Sequence, residues 1–251
     1  MEAMIESMIE VCAGSVASCI AAERGGADRI ELCSALHEGG TTPSYGMVRK
    51  AVQAVALPIF PIIRPRGGDF VYSDTEVEVM VEDIKALRAA GAHGFSLGAL
   101  TADGRLDREI NTRLIAACGG LPVTLHRAFD RTQDMAQALE TAIEMGFDRI
   151  LTSGGALTAP DGAETLARLV KQAEGRIIIM AGAGVRPENA RNLIKTTGVK
   201  EIHGTFSKSV EGRSRYRAGA FPTACQVTVP EYDYNESDEY KIAHTKQEIS
   251  Q

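Results

Sequence analysis

Eight short apolar runs, each separated from the next by a longer amphipathic stretch, restrict the fold of this 251-residue chain more than any other feature. The runs are Met8–Cys12, Arg29–Cys33, Ile59–Arg64, Gly94–Gly98, Pro122–Arg127, Arg149–Ser153, Ile177–Ala181 and Glu201–Thr205. Runs this short, rich in Ile, Leu and Val and flanked by glycine, read as buried strands. The stretches between them place apolar residues at helical spacing, near 16–24, 45–55, 74–90, 107–118, 134–145, 163–174 and 187–195. A further helix is expected at Asp238–Glu248. Parallel neighbours need a crossover, and a helix supplies it, so strict alternation implies a parallel sheet.

Local signals agree with that reading. Ser73-Asp74 precedes an acidic first turn, and Pro187 suits a first helical position. The strings "GGADRIEL", "AGAHGFSL", "MGFDRILT" and "TGVKEIHG" each run from a helix-closing glycine into an apolar strand, at every second strand. The expected fold is therefore α/β, a single (β/α)8 TIM barrel spanning residues 1–251, a normal length for one such domain. The rival, an open doubly wound sheet, would want "GxGxxG" after its first strand, where this chain has "EVCAGSVAS". Residues 211–251 form a divergent C-terminal loop and helix. The loop, through residue 237, is long for one connection, so it is functional, disordered, or hides a further element.

Charge and composition narrow the partners. The net charge is −6 without a basic tract, which argues against nucleic acid. No apolar run reaches the ~18 residues of a membrane span, and "MEAMIESMIE" lacks the apolar centre of a secretory leader. Five scattered cysteines fit a reducing cytoplasm better than a disulfide framework.

A barrel carries its active site at the C-terminal ends of its strands. Alternation puts Glu10 with Cys12, Glu31 with Cys33, Thr124 with His126, and Glu201 with His203 on common faces there. "IIRPRGGDF" adds Arg64 and Arg66. A buried arginine needs an anionic partner, and Glu10 and Glu31 on neighbouring strands are the candidates for Arg64. Such a network is either structural or catalytic; in the second case His126, Glu10, Glu31 and Arg64 are the catalytic set. Arg66 would grip an anionic ligand by paired hydrogen bonds. "MAGAGVRPEN" and "HGTFSKS" offer Gly182, Gly184, His203 and Ser207 at the loops that bind phosphate in many barrels. Cys12 and Cys33 are either a thiolate pair for soft Cu(I) or small buried hydrophobes. No lysine ends a strand and no "GxSxG" is present, which argues against Schiff-base and serine-hydrolase chemistry.

The strings "IEVCAGSVAS", "GGADRIELCSALHEGGTTPS", "PIIRPRGGDFVYSD", "LPVTLHRAFD", "RILTSGG" and "IIIMAGAGV", in this order, resemble the CutC family of copper homeostasis proteins over most of Ile9 to Val185. That resemblance implies a (β/α)8 barrel, a cytoplasmic setting, a homo-oligomer and a link to copper, with Cys12 and Cys33 matching the cysteines associated with the metal. The expected function is copper binding, as Cu(I), in or near the barrel mouth. The alternative is a lyase or isomerase acting on a small anionic or phosphorylated metabolite.

Overall fold

Each of the eight apolar runs is a strand in the computed structural model, which describes residues 7–217, 230 and 232–250. They are β1 (Met8–Ala13), β2 (Arg29–Leu32), β3 (Ile59–Pro61), β4 (Phe95–Leu97), β5 (Val123–Leu125), β6 (Arg149–Thr152), β7 (Ile178–Gly182) and β8 (Glu201–Gly204). All pair in parallel, in the order β3-β2-β1-β8-β7-β6-β5-β4. The outer two strands meet: Ile62 bridges Ser96, Ile63 N–H donates to Ser96 O at 2.8 Å, and His93 N–H donates to Ile59 O at 2.9 Å. The sheet thereby curls into a (β/α)8 barrel.

The expected strand through Arg64 leaves the ladder early. Arg64 N–H donates to Thr42 Oγ1 and its carbonyl accepts from Thr42 N–H, both at 2.9 Å. Its backbone is thus held by the loop after β2, not by β4.

The surrounding helices are α1 (Val16–Arg24), α2 (Tyr45–Ala54), α3 (Asp74–Ala89), α4 (Arg108–Ala117), α5 (Met135–Met145), α6 (Ala163–Ala173), α7 (Pro187–Thr197) and α8 (Glu239–Ile249). Ser73 and Glu76 form a reciprocal capping box at the start of α3, and Pro187 opens α7. The apolar core lies between strands and helices, where Ile9, Val11, Leu32, Phe95, Leu97 and Ile202 are all fully buried. Because side chains alternate along a strand, the other face of each strand fills the barrel interior.

That interior is charged. Arg29 bonds to both Glu10 and Glu201, and Arg149 donates to Glu201 at 3.2 Å. Both guanidinium groups lie over the Phe60 ring, at 5.3 and 5.6 Å. The repeated string "DRI" explains this pairing. Asp28 and Asp148 each accept a backbone N–H from the first residues of the preceding strand, Ile9 and Val123, both at 2.7 Å. Arg29 and Arg149 then point inward from equivalent places on β2 and β6.

Residues 211–237 hide an element. Strand β9 (Ser207–Val210) pairs antiparallel with β10 (Tyr234–Ser237) beyond the barrel mouth. Pro222 and Cys225, within that connection, lie outside the described residues. Helix α8 then packs between α7 and α1. Its contact with α1 is close: a Cβ on Gly25 would stand 2.6 Å from Ile242 Cβ and 2.8 Å from Glu239 O. Lys246 reaches back to Asp28 at 2.6 Å.

Candidate metal and ligand site at the barrel mouth

Strands β1 and β2 run side by side, with Cys12 in register with Glu31. This places Cys12, Glu31 and Cys33 together at the upper end of the interior, all buried. The two sulfurs are 3.7 Å apart, and Cys33 Sγ lies 3.4 Å from Glu31 Oε2. One donor atom from each of the three residues falls within 4.8 Å of the others. Gly40 packs against Cys33. Its φ of 88° suits glycine, and a Cβ there would approach Cys33 Sγ to 3.2 Å.

His203 connects this trio to the charged interior. Its Nδ1 is 2.8 Å from Glu10 Oε1 and its Nε2 is 3.8 Å from Glu31 Oε2. The hydrogen bond from Cys33, helped by His203, draws the Cys12 thiol well below its usual range in spite of burial. Cys33 moves the other way, because it donates to Cys12 and is buried. Burial, and then the negative charge on Cys12, lift the Glu31 carboxyl far above the ordinary carboxylate range. Burial alone would lower His203, yet Cys12 and Glu10 hold it well above the normal histidine value. Burial would likewise raise Glu10, but Arg29 and His203 pull it down to about 2. These directions favour charge on Cys12, His203 and Glu10 and disfavour it on Cys33 and Glu31.

A cavity of about 1040 Å³ opens above the cluster. Cys12, Glu31, Arg64, His126, His203 and Ser207 line it, and Gly184 lies on its far rim. These predicted residues do converge. Glu10, Cys33 and Gly182 do not line the cavity; they sit beneath or beside it. Gly182 packs its Cα against Leu151 and His203.

Two expectations about the arginines require correction. Arg64 is buried but does not pair with Glu10 or Glu31. Its guanidinium donates to the carbonyls of Glu38 (2.8 Å), Gly40 (2.9 Å) and Gly68 (2.9 Å) and stacks on Phe70. Glu10 is taken by Arg29 and His203, and the early exit from β3 carries Arg64 towards the loops. Arg66 is not free to grip a ligand. Glu76 holds its Nε at 2.5 Å, Asp69 bonds to it at 3.1 Å, and it does not line the cavity.

Sequence reasoning missed several residues. Arg29 and Arg149 were hidden as strand beginnings, though the doubled "DRI" could have flagged them. Phe70, Arg127, Arg186 and Lys241 also line the cavity. Lys241 reaches it from α8 and bonds to Ser207 O at 2.6 Å. Asp130, of "HRAFD", is a clamp. It accepts from Thr152 Oγ1, Arg127 Nε and the N–H groups of Ser153 and Gly155.

Comparison with known proteins gives a consistent picture. Residues 7–208 match the CutC family. The copper homeostasis protein cutC homolog of Homo sapiens is 45% identical over 235 residues, covering 94% of this chain and 86% of the human protein. A CutC family protein of Caulobacter vibrioides is 50% identical over 205 residues, covering 82% and 83%. A CutC crystal structure from Streptococcus agalactiae superposes with a TM-score of 0.76 at 36% identity, covering 79% of this chain and 98% of that one. An aldolase, QR15, shares the fold alone, with a TM-score of 0.60 at 16% identity. With the family model and these relatives in agreement, the chain belongs to the CutC family of copper homeostasis proteins.

Proposed function

We propose that this protein binds a copper ion, as Cu(I), between Cys12 and Cys33 at the floor of the barrel mouth. One observation carries the reading: two buried sulfurs from neighbouring strands stand 3.7 Å apart beside the mouth cavity. The donor set fits the cargo. Soft thiolates select Cu(I) over the harder divalent ions, and few ligands satisfy it. The thiolate is the form that binds metal, and the bond from Cys33 favours that form at Cys12. Cys33 must lose its proton to become the second ligand, and with the Glu31 carboxyl itself lifted towards its protonated form, that proton leaves to solvent. Uptake should therefore release protons. A reducing cytoplasm would keep both thiols available, and the family likeness supports a homo-oligomer.

The test is anaerobic Cu(I) titration against a competing chelator, using the wild type, Cys12→Ala and Cys33→Ala. One tight equivalent in the wild type, lost in both variants, is the expected result. Equal and weak binding by all three proteins would refute the reading.

A further inference from the structure

The cavity is far larger than one metal ion requires, and its charge is unbalanced away from the cysteines. Arg64 is only 5% exposed, yet among the described residues no carboxylate pairs with it. Three backbone carbonyls solvate its terminal nitrogens without cancelling its charge, and its Nε has no hydrogen-bond partner. An uncompensated buried cation is costly, so a counter-charge from outside the chain would relieve it.

His126 stands beside this cation. Phe70 holds both groups, with the Arg64 guanidinium 5.0 Å from its ring centre and the imidazole 5.0 Å away on its other contact. One edge of the imidazole is fixed. Nδ1 accepts the N–H of Ala128 at 3.3 Å, and the Nδ1–Cε1 edge lies against Gly98, where a Cβ would meet both atoms at 3.2 Å. With Nδ1 an acceptor, the proton of the neutral ring sits on Nε2. That Nε2–H is buried and has no partner, and it belongs to a side chain that lines the cavity.

We propose that the cavity binds a small organic oxyanion, one of whose oxygens accepts the Nε2–H of His126 while its charge offsets that of Arg64. The remaining positive groups on the walls, Arg127, Arg186 and Lys241, favour the same sign of ligand at the entrance. Cys12 lines the same cavity, but the groups that would hold the anion are not the cysteines, and they need no metal. The site also replaces Arg66, the arginine that sequence alone would choose, with Arg64.

The experiment uses metal-free full-length protein and two probes, acetate and inorganic phosphate, which separate a carboxylate ligand from a phosphate one. Histidine-ring ¹⁵N NMR should show the His126 Nε2 resonance moving saturably with at least one probe. Calorimetry should show affinity falling at least about tenfold in His126→Phe, and staying within about threefold of wild type in His126→Asn, which keeps an N–H donor. Arg66→Gln should bind as wild type does, because Arg66 does not line the cavity. If His126→Phe does not fold, the ring resonance and the asparagine variant still decide the matter. No movement of Nε2 with either probe, or equal affinity in wild type and His126→Phe, would overturn the proposal.

Discussion

Arg29→Met should cost about 3–5 kcal/mol of stability at neutral pH, the range expected when one partner of a buried ion pair is removed. Arg29 is 4% exposed and sits between Glu10 and Glu201, with its guanidinium against Phe60 and Met180. Methionine keeps much of the stem volume, so the loss is chiefly of charge. Burial would raise the Glu10 carboxyl, but Arg29 and His203 lower it from 4.5 to about 2. That net gap corresponds to about 3 kcal/mol, in which burial opposes the joint effect of Arg29 and His203. Glu201 retains Arg149 at 3.2 Å, so the second orphaned carboxylate adds less. The sign over pH follows from the depressed value. The stabilisation from Glu10 is full above about 4.5 and disappears as pH falls towards about 2. The gap between wild type and variant should therefore narrow across that window. Urea denaturation followed by circular dichroism, at neutral pH and at several acid values, reads both quantities. Arg29→Met combined with Glu10→Gln should cost less than the two single changes added together. A single-variant loss below about 1 kcal/mol, or a gap indifferent to pH, would refute the claim that this charge network holds the interior together.

Three further outcomes can be checked. Burial, with Arg64 beside it, lowers His126 from 6.5 to about 3, so the unfolded chain takes up a proton there that the native state refuses. Stability should fall as pH drops from about 6.5 to 3, by up to about 5 kcal/mol from this group, and His126→Phe should flatten that slope in acid-denaturation curves. Ser73→Ala removes half of the α3 capping box and should lower stability by about 1 kcal/mol, seen as a shift in denaturation midpoint at unchanged slope. Gly25→Ala forces a methyl against Ile242 and should cost about 1–3 kcal/mol, with hydrogen-exchange protection falling first in α8; unchanged protection there would contradict the packing described.

The alternation of apolar runs and amphipathic segments made the barrel legible, because period and spacing are local properties of the chain. The same period correctly placed Cys12, Glu31, His126 and His203 at the mouth. What it could not supply was pairing across the interior. Arg64 and Arg29 look alike as residues on short apolar runs. Which of them meets Glu10 depends on how far each run stays in the ladder, and β3 ends three residues before Arg64. Arg66 misled for a related reason. Its partner Glu76 comes from the first turn of the next helix, a contact with no signature in strand periodicity. Lys241 was invisible as a mouth residue, since a helix that follows a long connection can return to any seam of the ring.

That return has a practical meaning. The stretch matched to the family stops at residue 208, before the last helix begins. A fragment trimmed to that boundary would be a cask with one stave missing: the flanks of α1 and α7 would stand bare, and Lys241 would be gone from the rim. Anyone producing this protein for study should carry the chain through Ile249.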